Sequence, residues 1–330
     1  MIIASSTPPL ANYAADLSAV RAAAERIEGH AIRTPVHTSH TMDALSGRAL
    51  FFKCESFQRV GAFKFRGAMN AVAKLDDARA SRGVVTHSSG NHAQALALAA
   101  RIRGIEAHIV MPTNAPEVKR QAVIGYGGRV IPCEPTLASR EETAARVVAE
   151  TGGTLIPPYD HPDVIAGQGT IALELFAHHP DLDAVIVPVG GGGMISGIAL
   201  AYRELAPRVR VIGAEPLGAD DATRSKASGA FVAQTGAVTI ADGLRTSLGT
   251  LTWPVVRDVV HRIETVREDE IVSAMRLVFE RMKLVIEPSA AVGVAVALRS
   301  GALGEDERRV AVVLCGGNVD LDALPWQKRA

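Results

Sequence analysis

The stretch DAVIVPVGGGGMISGIAL, residues 183–200, decides how this chain folds. Its first half is a continuous apolar run, Ala184 to Val189. An unbroken Val/Ile run, not an alternating one, marks a strand buried on both faces, the habit of parallel sheets covered by helices. Its second half reads as a helix beginning near Met194. Between them lie four consecutive glycines, Gly190 to Gly193. A row of backbone N–H groups free of side chains at a helix start suits a phosphate. The glycines could instead let the helix pack close to the strand, but one would serve for that. The pattern is neither the dinucleotide G-x-G-x-x-G with its later acid nor the Walker loop with Lys-Ser/Thr, so a phosphate monoester fits best.

Working outward, the same strand–turn–helix grammar recurs. VVTHSSGNHAQAL (84–96) carries Ser88, Ser89, Gly90, Asn91 and His92, and VAVVLCGGNVDL (310–321) carries Cys315, Gly316, Gly317 and Asn318. Further strands are expected at 49–55, 83–89, 107–112, 128–133, 153–158 and 208–216, and helices at 17–29, 91–103, 117–125, 139–151 and 269–282. Alternating strands and helices define an α/β class. In open parallel sheets, ligands bind beyond the carboxyl ends of strands, so three glycine loops can surround one ligand. Residues 83–158 hold four compact βα units and read as a small α/β domain inserted in a larger one made of 1–82 and 159–330.

A second stretch, ESFQRVGAFKFRGAMNAV (55–72), sets Lys64 between Phe63 and Phe65. The nearest charge is Arg66, of the same sign. An apolar site with a like charge nearby favours a neutral amine, and the usual employment of such a lysine is a Schiff base with a carbonyl. The competing reading is a lysine whose stem packs while its head reaches water. Lysine nucleophile and phosphate cup together point to pyridoxal phosphate, which has an aldehyde for one and a phosphate for the other.

Composition narrows the classes. Among 330 residues, Lys plus Arg and Asp plus Glu are each 35, and 48% are hydrophobic. With no basic excess, nucleic acid or a membrane surface is not the expected partner. Three scattered cysteines, Cys54, Cys133 and Cys315, suggest neither disulfides nor zinc, which fits a reducing cytoplasm. The start, MIIASSTPPLANYAADL, lacks signal-peptide character, and no apolar run is long enough to span a bilayer.

SFQRVGAFKFRGAMNA, THSSGNHAQAL, VIAGQGTIALEL, VPVGGGGMISGIA and CGGNVDL resemble the serine/threonine dehydratase and serine racemase family of fold-type II pyridoxal-phosphate enzymes, the tryptophan synthase β-like fold, from about residue 17 to 322. The resemblance implies that Lys64 is the Schiff-base lysine and general base. It implies that Phe63 stacks beside the ring, that Asn91 bonds the phenolic oxygen, that Gly190 to Gly193 and Met194 hold the phosphate, and that Gly243 of ADGLRTS lines the ring. Ser88, Ser89, Gly90, Asn91 and His92 would bind the substrate carboxylate. Many relatives have serine where this chain has Cys315, the implied partner of the pyridine nitrogen; the other reading of Cys315 is a small buried hydrophobe.

Ser89 matches the racemase-like branch, where this hydroxyl is the acid/base on the second face. GAEPLGADDA (213–222) resembles that branch's divalent-metal site, with Glu215, Asp221 and the Ala219 carbonyl as ligands for magnesium, calcium or manganese; the alternative is a helix start with acids in its first turn. Arg140 of LASREE would meet a second substrate carboxylate, with Arg245 as a helper, or is a surface arginine. A nucleotide site at a dimer interface is left open: Gln94, Tyr126 and Lys283 match it, Arg59 and Tyr159 do not. The regulatory domain of biosynthetic threonine enzymes, and with it feedback by isoleucine, is not expected. The expectation is a cytoplasmic, homodimeric lyase that converts serine, threonine or 3-hydroxyaspartate to a 2-oxo acid and ammonia. Serine racemisation is the alternative activity, and a non-catalytic nucleotide sensor on the same fold is the alternative class.

Overall fold

The structure, a computed structural model, describes residues 13–327; most of the MIIASSTPPLANYAADL stretch lies outside the described residues. Among the described residues ten strands form two sheets. They are β1 (Val36–His37), β2 (Ala49–Cys54), β3 (Val84–His87), β4 (Ala107–Pro112), β5 (Arg129–Cys133), β6 (Thr154–Leu155), β7 (Ala184–Pro188), β8 (Arg210–Pro216), β9 (Arg262–Val266) and β10 (Arg309–Leu314). The larger sheet runs β1-β2-β10-β7-β8-β9 and the smaller β5-β4-β3-β6. Every pairing is parallel except β1 on β2. The strand expected at 153–158 shortens to the two residues of β6: the Ile156 N–H still donates to the Val85 carbonyl at 2.9 Å, but Pro157 and Pro158 follow and have no N–H to continue the ladder.

The apolar strands β4, β7, β8 and β10 are buried along nearly their whole length, as parallel strands covered on both faces must be, whereas β5 and β6, read from the sequence as buried, lie at the edges of the smaller sheet and bury only Cys133. Val185, Ile186, Val187, Ile212, Val312 and Leu314 are fully buried. Each such side chain contributes about 1.5–3 kcal/mol on burial. The larger sheet's core is contiguous with the helices Gly193–Leu205 and Pro288–Leu298. The smaller sheet's core is different in origin. It takes Ala93, Leu96 and Ile109 from within 83–158 but also Phe65, Met69, Val72 and Val164 from outside it. The helix Lys64–Lys74 therefore lies between the two sheets. It touches the helix Pro162–His178 so closely that a Cβ on Gly167 would lie 2.6 Å from the Gly67 Cα. That contact fixes the helix that starts with Lys64.

Among the described residues no helix is long and apolar enough to cross a membrane.

Candidate active site

The three glycine loops gather around Lys64, and backbone hydrogen bonds tie the one after β10 to the segment that precedes Lys64. The Phe63 N–H donates to the Cys315 carbonyl at 3.0 Å, and the Gly317 N–H donates to the Gly61 carbonyl at 2.9 Å. The Asn318 amide donates to the Val60 carbonyl at 2.7 Å and to Asn91 Oδ1 at 2.9 Å. The end of β10 is thus laced to the segment before Lys64 and to the first residue of the helix Asn91–Arg103. Val60 has φ 58, a left-handed conformation that a β-branched residue adopts only at a cost.

Lys64 is half-buried and its amine donates to the Pro158 carbonyl at 2.7 Å. The Phe63 ring centroid is 5.0 Å from Nζ and the Tyr159 centroid 5.9 Å. Its pKa falls from 10.5 to about 8 because burial penalises the charge, with the Cys315 thiol and the Glu287 carboxyl pulling the other way. Arg66 does not act as the sequence suggested. Its guanidinium is turned away and held by Glu55 at 2.8 Å and Glu174 at 2.6 Å, so it is charge-neutralised where it lies. Desolvation, not like-charge repulsion, makes the Lys64 amine available.

The glycine loop lies against Tyr159. A Cβ on Gly191 would sit 2.3 Å from that ring, so only glycine fits. Gly192 has φ 83, and the helix starts at Gly193 with Met194 buried behind it. Gly190 faces Gly243, whose carbonyl would lie 3.0 Å from a Cβ on Gly190. Gly243 N–H donates to Ser289 Oγ at 3.1 Å. The Tyr159 hydroxyl pairs with Thr246 at 2.8 Å.

In the second loop, Ser88, Ser89, Gly90 and Asn91 are all half-buried. His92 is buried, and its Nε2 bonds the Ile156 carbonyl at 2.9 Å while Nδ1 has no partner. A carbonyl only accepts, so Nε2 carries the proton. Burial, then the nearby Lys64 charge, lowers the His92 pKa to about 3, so this imidazole stays neutral. Cys315 is buried, and its thiol pKa is raised well above the usual value, by burial first and by Glu287 next.

The remaining expected residues lie in two further places. Arg140 is half-buried near the end of β3, close enough to His87 to lower that imidazole's pKa after burial and against Glu141; its Nε is buried with no hydrogen-bond partner. Glu215 ends β8, Asp221 starts the helix Asp221–Ser228, and Ala219 lies in the turn between them. All three are fully buried. Glu215 accepts from the Ala222 and Thr223 N–H groups and the Thr223 hydroxyl. Asp221 Oδ2 accepts from Leu248 N–H at 3.0 Å while Oδ1 has no partner. Burial raises Glu215 to about 8 and Asp221 to about 6. Among the described residues no group of three or more His, Cys, Asp and Glu side chains converges, so a cation here would need the Ala219 carbonyl or water as well. The two buried acids and the unpartnered Asp221 oxygen fit a hard divalent ion.

Pro158, Tyr159 and Glu287 were not among the sequence candidates. Glu287 had a signal, an acid in the apolar run LVIEPSAAV; Pro158 and Tyr159 had none, since their roles depend on a contact across the two sheets.

Residues 27–316 match the family model described as "Pyridoxal-phosphate dependent enzyme". The chain is 53% identical to serine racemase of Arabidopsis thaliana over 94% of its own length and 96% of the relative's. It is also 53% identical to beta-hydroxyaspartate dehydratase of Paracoccus denitrificans (strain Pd 1222), over 92% and 96%. The solved structure of maize serine racemase superposes with a TM-score of 0.93 at 49% identity, covering 94% of this chain and 95% of that one.

Proposed function

Starting from the fact that the chain belongs to the pyridoxal-phosphate-dependent enzymes, we propose that it is an ammonia-lyase dehydrating a β-hydroxy amino acid to a 2-oxo acid, with 3-hydroxyaspartate favoured over serine and threonine. The observation that carries the reaction class is Lys64: a half-buried lysine whose amine pKa is lowered to about 8 by desolvation, held by a carbonyl and no carboxylate, fit to act as nucleophile and base. The bound cofactor supplies an electron sink that acidifies the α-proton of a substrate amine. Lys64 takes that proton. Gly190 to Gly193 and Met194 would hold the phosphate, Phe63 and Gly243 would line the ring, Asn91 would orient its phenolic oxygen, and Cys315 would meet its nitrogen. Backbone N–H groups of Ser88 to His92 bind the substrate carboxylate.

Arg140 carries the substrate preference. A half-buried guanidinium with an unpartnered Nε is positioned to take a second carboxylate, and the relative at 53% identity acts, by its name, on beta-hydroxyaspartate. Racemisation of serine is the second reading, supported by the likeness to serine racemases and by Ser89, whose hydroxyl would serve as acid on the other face. We further assign Glu215, Asp221 and the Ala219 carbonyl to a magnesium, calcium or manganese ion. Residues 83–158 form the small domain, with 1–82 and 159–330 as the large one. The working form is a cytoplasmic homodimer.

One panel tests the reading: 2-oxo acid formation from serine, threonine and 3-hydroxyaspartate, with chiral analysis of recovered serine, for the native chain and Arg140→Ala. For 3-hydroxyaspartate the substitution should cost about 2–4 kcal/mol in kcat/KM, as when one partner of a buried charge pair is removed, while serine and threonine lose little. A uniform loss across the panel would reduce Arg140 to a structural residue; D-serine in excess of 2-oxo acid would make racemisation the main activity.

A further inference from the structure

Glu287 has no part in the roles assigned above, yet it lies at the centre of the site. It is buried, directly before Pro288 at the start of the helix Pro288–Leu298, and its side chain does not cap that helix. Both carboxyl oxygens accept from Asn91 Nδ2, at 3.1 and 3.0 Å. The Cys315 Sγ lies 3.9 Å from Oε1. Its own backbone N–H donates to the Gly316 carbonyl at 3.0 Å. A Cβ on Gly316 would come within 2.7 Å of Oε1, so the loop is shaped around this carboxyl. The charged and titratable groups facing it are Lys64 from the helix Lys64–Lys74, Cys315 after β10, Asp242 from the turn Asp242–Leu244 and Lys119 from the helix Glu117–Gly125. None of them is a cation in contact with it.

We infer that Glu287 is a positioning residue that decides whether the Cys315 thiol donates a hydrogen bond to the cofactor's ring nitrogen, while holding Asn91 in one orientation. The inference rests on the reading that Cys315 meets that nitrogen. A thiol has one hydrogen. When Glu287 is ionised, the S–H donates to its carboxylate, and no thiol hydrogen is left for the ring nitrogen. When Glu287 is protonated, the carboxyl brings its own hydrogen, and the S–H is free to donate to the ring nitrogen, whose own protonation does not change. The proton that distinguishes the two states is exchanged between Glu287 and solvent, and no bond to carbon changes. The Asn91 amide has two hydrogens; Glu287 holds one, which leaves the other for the phenolic oxygen. Burial raises the Glu287 carboxyl to about 7, against the Asn91 hydrogen bonds, and Asp242 adds to the rise, so both states are populated near neutrality.

The test is the visible absorbance of the cofactor-loaded protein, titrated between about pH 5.5 and 8.5, for the native chain, Glu287→Gln and Cys315→Ala. Cofactor content is measured independently by chemical release. The native protein should show a spectral step near pH 7. Glu287→Gln removes the titrating proton, and Cys315→Ala removes the link, so either should cut the amplitude of the step at least tenfold at unchanged cofactor content. Should Glu287→Gln fail to fold, Cys315→Ala decides alone. The same step in the variants, or a pH-independent native spectrum, overturns the inference and leaves the lyase reading standing. A native chain that takes up no cofactor overturns both.

Discussion

Two lysines eleven residues apart in the chain are buried in opposite ways. Lys53, at the inner end of β2, donates to Glu174 and to the Thr34 carbonyl, both at 2.6 Å. Behind it Arg66 is held by Glu55 and Glu174, so two cations and two acids close on themselves. Burial lowers the Lys53 pKa, while Glu55 and Glu174 pull it back. Arg66 loses by burial too, but the same two carboxylates outweigh it and raise its pKa. Lys64 has burial without the carboxylate contact. The pair of acids at Glu215 and Asp221 is the mirror image, buried carboxyls with no cation in contact, whose pKa values burial raises. Charges neutralised inside the chain brace the fold; charges left for something outside the chain to neutralise mark where chemistry or a ligand is expected.

The sharpest way to break this comparison is Lys64→Ala. Losing nucleophile and base together should lower turnover by about 10³-fold or more and abolish the visible cofactor band, with thermal stability kept. Native-like turnover would place the chemistry elsewhere. Next in size is Arg66→Met. It strands Glu55 and Glu174 without their shared cation, and should cost about 3–5 kcal/mol in denaturant unfolding, while the protein that remains folded still binds cofactor. If Arg66→Met instead removed the cofactor band without loss of stability, the division between bracing and reactive charge would be wrong.

Metal removal should have a somewhat smaller effect. At a hundredfold excess over its dissociation constant, a native-state ion contributes about 2.7 kcal/mol, so chelation should lower the melting temperature. An unchanged melting curve after verified removal rejects the site at Glu215, Ala219 and Asp221. The smallest effect is kinetic. The neutral fraction of Lys64 rises as pH passes through about 8, because its pKa is lowered from 10.5. Cofactor uptake by the cofactor-free chain should therefore speed up towards pH 8 and level off above it. An ordinary lysine would keep gaining up to about pH 10; a rate still climbing there would mean that the amine is not desolvated.

Much of the site was legible because its parts are local. The four glycines, the SSGNH loop and Lys64 each announce a backbone or side-chain chemistry within a few residues, and the apolar runs at 107–112 and 184–189 gave their strands nearly to the residue. β1 and β9 were not legible: Val36–His37 is two residues long and Arg262–Val266 alternates charge with apolar side chains at a sheet edge, so neither has a buried-strand pattern. The role of Arg66 was misread for a related reason, since its partner Glu174 lies 108 residues away.

The sequence by itself determined the α/β class, the phosphate-suited loop and the candidate nucleophile, because periodicity, glycine freedom and residue chemistry act over one or two turns. Only the tertiary structure decided which charges are paired. It turned Arg66 towards Glu55 and Glu174, left Lys64 with a carbonyl, and drew Glu287 in between Asn91 and Cys315. Burial and partner distance are set by which elements pack together, and a pKa depends on both, so the reactivity of an ionisable group is a property of the fold and not of the residue alone.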